Sequence, residues 1–389
     1  MLKTYQYRIY PTKEQRNKLE LNLELARFAY NNQLALIIST YKEKGKNLTT
    51  FELNNSLIFL KKEYPVFKNM HSQVIQEINK RIVNSFRQFF NRIKRREKPG
   101  FPRFKNKNRY RSITYPQSGF SLNNNLYISK IGNISIIKHR NIEGKIKTMT
   151  IKKSSTNKWH VYFSVEHEIK KMPIQNNKSI GLDLGLHHFY ADSEGNTIDN
   201  PRWFRRSEIK LASLQRNYSR KKKGSMNRKK LRLKIARLHE KISNQRKDFL
   251  HKQSRKLASS YSFIAVEKLL IKNMQQNRYL SKSINDAGWY TFQQMLAYKV
   301  EETGGKLFEI DAKGTSQSCI CGNKVEKSLN IRIHKCNRCG VKIDRDVMSA
   351  MVIKQIALKS ATAGSAGSNA WGDERMLSSM SQELLLPII

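Results

Sequence analysis

All four cysteines of this 389-residue chain lie between positions 319 and 339. They form two pairs, Cys319-Ile320-Cys321 and Cys336-Asn337-Arg338-Cys339, with 14 residues between them. Two close pairs of thiolates suit the closed tetrahedral shell of a structural Zn²⁺ site. Each second cysteine precedes a glycine, Gly322 or Gly340, which lets the backbone turn tightly under a metal. The first pair is one residue shorter than the usual CxxC. Reduced, metal-free thiols are the plain alternative, and His334 stands near enough in sequence to replace one cysteine. The clustering excludes a scattered disulfide framework, and four sulfur ligands would leave no open position for catalysis.

A second chemistry rests on carboxylates. In SIGLDLGL, Ile180, Leu182, Leu184 and Leu186 share one face of a strand by period-two geometry, so Asp183 faces the other way between Gly181 and Gly185. Glycines there let an ion or a backbone come close. Glu267 ends the apolar run FIAV, where a charge is costly unless it is paired, metal-bound or at the solvent edge. Asp346, with Asp344 as its rival, opens a final helical pattern; a helix cap is the ordinary role of such a residue, and it suits Asp344. Taken singly, Asp183 and Glu267 could each simply meet water.

The order decides between these readings. A strand Asp in a glycine-framed hairpin, a helix, a strand ending in Glu and a last helix opened by Asp is the order of an RNase H-like nuclease fold. Three converging carboxylates raise one another's pKa values unless cations sit between them. Oxygen-only ligands select Mg²⁺ or Mn²⁺, and two such ions can activate water and stabilise a leaving 3′ oxygen in phosphodiester cleavage. No nucleophilic Ser or Cys constellation competes.

The elements that must position these groups follow from periodicity. KTYQYRIY reads as a strand ended by Pro11, and Thr12 with Gln15 forms a capping box. A helix with Leu19, Leu23, Ala26, Tyr30, Leu34 and Ile37 on one face follows, then a second with Ile75, Ile78, Ile82, Phe86, Phe89 and Ile93 that breaks at Pro99-Gly100. The stretch from 101 to about 168 alternates short β-rich runs with Asn, Gly and Ser turns, as an antiparallel sheet or small barrel that the first strand could join. KMPIQNNKS reads as a linker. Beyond it the predicted elements are a strand pair, a long basic helical region, the strand YSFIAVE, a helix over 286–303, the strand KLFEID and the last helix. The sequence from about 361 is small and polar, as in an exposed tail.

The chain carries 74 Lys+Arg against 30 Asp+Glu, a formal net charge of +44. Such an excess self-repels unless a polyanion neutralises it, and nucleic acid does so with counterion release. Residues 202–256 hold 21 Lys or Arg and three acids, Glu208, Glu240 and Asp248. Leu231, Ile235, Leu238, Ile242 and Phe249 form a helical stripe within them, so the basic faces are expected along phosphate. Candidate contacts are Lys221, Lys222, Lys223, Arg228, Lys229, Lys230, Arg237 and Arg246, with Arg103 and Lys105 in FPRFKNK. Phosphate contacts carry no sequence information. MLKTYQYRIY lacks the apolar core of a signal peptide and no run approaches a membrane span, so a soluble, cytoplasmic chain is expected.

The co-occurrence of IGLDLGL, KIARLHEKISNQRKDFLHKQS, AVEKL, NDAGWYTFQQMLAYKVEETG, TSQSC, CNRCG and DRD resembles the TnpB family, RuvC-like proteins of small insertion sequences related to type V CRISPR effector nucleases. YRIYPTKEQRNKL and FPRFKNK also look like that family, and the resemblance covers most of residues 1–358. It implies an α+β multidomain chain: a wedge-type β-barrel (1–10 and 99–175), a helical recognition module (11–98), an RNase H-like (RuvC) nuclease domain (176–315 and 343–358) with an inserted zinc ribbon (316–342), and a tail (359–389). It further implies RNA-guided cleavage of double-stranded DNA beside a short target-adjacent motif, with guide RNA from the transposon end. Asp183, Glu267 and Asp346 match the catalytic acids, and Arg332 matches a family arginine near the zinc ribbon that could touch the scissile phosphate. The chain departs from the family in its CxC pair, in Met348 where Asn is usual, and in Lys268 where an acid is common. A transposase joining strands with the same acids and a non-cleaving guide-directed regulator remain alternatives.

Overall fold

The computed structural model describes residues 2–107, 109–167, 178–311, 314–328 and 331–363. The chain divides into two compact units, Met1–Ile169 and Lys170–Ile389. The expected linker falls almost wholly outside the described residues, as does the expected tail beyond 363.

In the first unit, strand β1 (Leu2–Tyr10) ends at Pro11, and Thr12 with Gln15 makes the full reciprocal capping box that opens helix α1 (Lys13–Lys44). Gly45, at φ +62°, closes it in the left-handed conformation that glycine adopts without penalty. Helix α2 (Thr50–Glu63), opened by a Thr49–Glu52 capping box, is additional to the two helices that periodicity predicts here. Helix α3 (Ser72–Lys94) ends before the Pro99-Gly100 break, with Arg96 just beyond it at φ +55°. Short strands β2 (Ser112–Tyr115), β3 (Phe120–Leu122), β4 (Leu126–Ile128) and β5 (Gly132–Ile137) precede the longer β6 (Lys145–Lys153) and β7 (Trp159–Glu166).

These strands form one antiparallel sheet in the order β2-β6-β7-β1-β5-β4-β3, with β1 seated between β7 and β5. Alternation drives the curl: Trp159, Val161, Phe163 and Val165 of β7 and Tyr5, Tyr7 and Ile9 of β1 are buried. The two edge strands nearly close a barrel, and the rings of Tyr115 on β2 and Phe120 on β3 lie 6.4 Å apart. One continuous core joins this interior to the buried stripe of α1 (Leu19, Leu23, Ala26, Tyr30, Leu34, Ile37) and to Ile75, Ile78 and Ile82 of α3.

The second unit contains β8 (Ser179–Leu184), β9 (His188–Asp192), β10 (Thr197–Asp199), α4 (Trp203–Ser219), α5 (Met226–Ser260), β11 (Phe263–Glu267), α6 (Ile271–Met274), α7 (Ser281–Ala287), α8 (Trp289–Glu302), β12 (Lys306–Ile310), β13 (Ile333–Lys335), β14 (Lys342–Asp344) and α9 (Arg345–Ala363). The last helix thus runs five residues into the span expected as tail. A five-stranded sheet has the order β10-β9-β8-β11-β12. Its first three strands are an antiparallel meander, while β11 and β12 run parallel to β8. Parallel strands need crossovers, and here helices α4–α5 and α6–α8 supply them.

The sheet is covered on both faces. Ile180, Leu182 and Leu184 pack with Leu250 and Leu257 of α5 and with Phe292 and Leu296 of α8. On the opposite face Ala265 and Ile310 pack against Ile353 and Ala357 of α9. Helix α4 has no side-chain cap of its own; the buried Asp286 of α7 accepts from the Phe204 and Arg205 amides instead. The same carboxylate pairs with Arg246 of α5 at 2.9 Å. Lys299 of α8 donates to the His251 carbonyl and the Ser254 hydroxyl of α5, both at 2.7 Å, and burial lowers its pKa to about 8. Among the described residues no helix is long and apolar enough to cross a membrane.

Candidate active site and cysteine cluster

Register brings the first two carboxylates together. The β8–β11 ladder pairs Leu182 with Val266, so Asp183 and Glu267 come next in line on neighbouring parallel strands, which stand about 4.8 Å apart. With Leu182 and Val266 in the α5/α8 core, period two turns Asp183 and Glu267 to the face that α9 covers. Gly181 shares that face, and its job is now specific: a Cβ there would meet the Ala350 carbonyl oxygen at 2.1 Å and the Lys354 nitrogen at 2.8 Å. The glycine admits a helix backbone, and that helix carries Asp346 in its first turn.

The two acids of Asp344-Arg345-Asp346 divide their roles. Asp344 caps α9, its Oδ1 accepting from the amides of Asp346 at 2.8 Å and Val347 at 3.2 Å. Asp346 is thereby left to face the sheet acids. Its carboxylate also meets Arg345 at 3.2 Å and Arg332, the arginine of the family match, at 3.6 Å. Glu267 is held through its backbone. The Gln293 side chain of α8 donates to its carbonyl at 3.1 Å. Gln293 does not stand out in the sequence, since it acts across a separation of 26 residues.

Electrostatics mark this as a strained cluster. Burial, then repulsion from Glu267 and Asp346, pushes Asp183 up to about 8; Arg345 opposes this and Asp344 adds to it. Burial likewise raises Glu267, with the Thr315 hydroxyl acting against it. A divalent cation between the carboxylates would relieve both the desolvation and the repulsion, so the donor set fits a hard oxygen-seeking ion.

Among the described residues the four cysteines are the tightest candidate metal group, with their sulfurs all within 4.8 Å of one another. The three carboxylates are more open. Cys319 and Cys339 sulfurs stand 3.6 Å apart, as do those of Cys321 and Cys336. That is far beyond a disulfide bond and close to the ~3.8 Å edge of a tetrahedron built on ~2.3 Å Zn–S bonds. The short CxC pair is accommodated by a tighter turn: the Gly322 amide bonds the Cys319 carbonyl, three residues back, whereas the Gly340 amide bonds the Cys336 carbonyl, four back. Amides of Cys339 and Arg338 donating to its sulfur pull Cys336 down to about 6, while burial pushes Cys319 up to about 12. His334 does not join the cluster, because its fully buried ring contacts Lys327 through Nδ1. Met348 packs with Cys319, Cys336 and Val352, fastening α9 to the cysteine module.

The basic residues fare unequally. Lys221, Lys222, Lys223, Lys229, Lys230 and Arg237 are exposed around the α4–α5 turn and along α5, and Arg103 is exposed in the first unit. Arg228 lies over the Tyr218 ring at 4.0 Å and donates to the Tyr218 and Lys221 carbonyls. Lys105 is half-buried, its Nζ 5.6 Å from the Tyr30 ring centroid. Arg246 is half-buried and pairs with the buried Asp286 at 2.9 Å.

Three family models match the chain: "Probable transposase" over residues 162–278, "Cas12f1-like, TNB domain" over 289–353 and "Helix-turn-helix domain" over 1–46. In this chain residues 1–46 hold one strand and one long helix, β1 and α1. A Streptomyces pristinaespiralis protein named "Putative RNA-guided DNA endonuclease" is 31% identical over 373 residues, spanning 93% of this chain and 91% of the relative. The chain belongs to the TnpB family. InsQ of Escherichia coli K12, which bears the same description, is 29% identical to this TnpB-family chain over 90% of each. Cas12f1 of Sulfoacidibacillus thermotolerans, a CRISPR-associated endodeoxyribonuclease, is 30% identical over 210 residues, 50% of this chain and 49% of the relative.

Proposed function

We propose that this TnpB-family chain is an RNA-guided DNA endonuclease of a transposable element. On this reading its second unit is an RNase H-like (RuvC) nuclease domain with an inserted zinc ribbon, and Asp183, Glu267 and Asp346 are its catalytic acids. The observation that carries the proposal is the register of β8 and β11, which sets Asp183 beside Glu267 on the face covered by the helix of Asp346. Both names and sequences of the curated relatives support the activity.

The three carboxylates would hold Mg²⁺ or Mn²⁺. Ions held there would supply Lewis-acid activation of water and offset negative charge on the leaving 3′ oxygen. The chain's own residues do the rest. Asp183 and Glu267 would supply oxygen ligands from rigid strands, Asp344 orients the start of α9, and Arg332 would contact the scissile phosphate. The exposed lysines at the α4–α5 turn would run along nucleic-acid backbone. The cysteines would hold Zn²⁺, which has no open coordination position and therefore only shapes the module. The wedge-type barrel and helical recognition module of the first unit would read the target-adjacent motif, while guide pairing reads the target.

Cleavage assays on protein purified with its RNA test this reading. Guide-matched duplex should be cut in Mg²⁺, and Asp183→Ala or Glu267→Gln should bind but not cut. Undiminished cutting by either variant removes that residue from the site. The "Probable transposase" match favours a second reading, strand joining by the same acids; it requires purified protein to join DNA ends without RNA.

A further inference from the structure

The apolar face of α3 outruns the core that it covers. Its enclosed stretch ends at Ile82, and Phe86 is half-buried at the edge of the first unit's core. Further along, Phe90 and Ile93 keep 42% and 47% of their surface exposed. Beyond the helix, the strap 101–105 returns to this end. The Phe101 ring stands edge-on to Phe86 and Phe89, with centroids 5.5 and 5.4 Å away, and Phe89 meets Phe90 in the same way at 5.2 Å. Phe101 nevertheless exposes 49% of its surface. The strap is pinned: the Lys105 amide donates to Asn31 Oδ1 of α1 at 2.8 Å, and Asn31 Nδ2 donates back to the Lys105 carbonyl at 3.0 Å. Its rings are therefore held in place before any partner arrives, so binding on them costs little side-chain ordering.

Contiguous exposed rings mark an interaction surface, and charge selects the partner. Residues 86–109 carry ten Lys or Arg against one acid, Glu97, and Arg87, Arg92, Arg95 and Arg103 are exposed. A second copy of this chain would set the same cations face to face, and a base-paired duplex hides the faces of its bases. Rings among cations suit unpaired nucleotides, whose bases stack on the rings while their phosphates meet the arginines. Bare apolar rings are an aggregation liability, so their occupant must be one that stays bound; a resident RNA meets that need and a passing target strand does not. We propose that Phe90 and Phe101 form a stacking platform for unpaired bases of the guide RNA. The inference rests on the RNA-guided reading and adds to it a site on the first unit, apart from both the carboxylates and the cysteines.

The test uses the full chain washed free of RNA. Fluorescence anisotropy follows the binding of oligo(rU), and of a ribose-phosphate strand without bases, across a range of salt, beside thermal unfolding. Phe90→Ala and Phe101→Ala are each expected to weaken oligo(rU) binding at least about fivefold, the loss of one stacked base. The salt slope should not change, because no phosphate contact is removed. The base-free strand should bind all variants alike, and Phe101→Trp should hold oligo(rU) to within about threefold of the wild type. Wild-type affinity for oligo(rU) in either alanine variant would overturn the proposal. So would an equal loss on the base-free strand, which would assign the rings to holding the basic strap. A second arm keeps the RNA that purifies with the chain and adds oligo(dT), whose binding should be indifferent to Phe101→Ala; dependence on the ring would give the platform to DNA and overturn its assignment to RNA. If the wild type purifies without RNA, the RNA-guided reading fails and this proposal falls with it; if it carries RNA while the alanine variants bind oligo(rU) as it does, only this proposal falls.

Discussion

Gly181 and Ala350 are packed so closely that a Cβ at position 181 would stand 2.1 Å from the Ala350 carbonyl oxygen. The obstacle is backbone, with no flexible side-chain end to swing aside. Gly181→Ala must therefore push α9, and Asp346 with it, away from β8. Overpacking of this kind costs about 1–3 kcal/mol, and the displaced helix start should cost more in cutting than in folding. Expected outcomes are a lowered melting temperature and cleavage reduced at least tenfold. A fully active variant would show that α9 has room to retreat without moving its acid.

Asp183 gives a pH dependence of definite sign. Its pKa in the fold is raised to about 8 from an ordinary value of 3.8, chiefly by burial. A group raised in this way stabilises the metal-free fold fully below pH 4, and that contribution is lost as pH rises through about 8. Asp183→Asn should thus melt higher than the wild type at pH 8 in EDTA and much the same at pH 4. Each kcal/mol relieved corresponds to roughly 2–4 °C. Mg²⁺ should raise the wild-type melting temperature at pH 8 and leave that of Asp183→Asn nearly unchanged. Differential scanning fluorimetry across pH reads both outcomes.

Removing metal from the cysteines should loosen one end of one unit. The cluster is packed against Met348 and Val352 of α9, so chelation strong enough to strip zinc should raise amide exchange over 315–345 and in the first turns of α9. The first unit has its own core, and its exchange should not change. Hydrogen-exchange mass spectrometry distinguishes the two regions.

Basic residues should separate into two kinds. Lys222→Ala and Lys223→Ala remove exposed charges and should weaken nucleic-acid binding uniformly across sequences, each lowering the salt slope by about one. Arg246→Ala strips the partner from a carboxylate with 2% of its side chain exposed, and breaking a buried pair costs about 3–5 kcal/mol. Its main signature should be a melting-temperature drop in the absence of nucleic acid. Binding that falls with stability intact would place Arg246 on the phosphate surface instead.

The alternation of SIGLDL was enough to tell which way Asp183 points, because one face of that strand is continuously apolar and can only be core. The division of labour between Asp344 and Asp346 was legible for a similar reason: caps belong at helix starts. Local signals ran out where partners are remote. Asp286 caps a helix through an amide 82 residues earlier, and nothing near Arg246 announces that buried acid. Helix α2 carries a Thr49–Glu52 capping box visible in the sequence, yet exposed Phe51, Ile58 and Phe59 blur its apolar period.

Strand β8 has a further consequence. Its odd and even residues are sorted between an oily layer and a carboxylate layer, so sliding it by a single position would bury Asp183 in the oil and strand Leu182 among the acids. No half-shifted arrangement does partial work. Damage to this sheet should accordingly surface as a smaller fraction of competent molecules, each cutting at its normal speed, and burst-phase titration of active sites would count them.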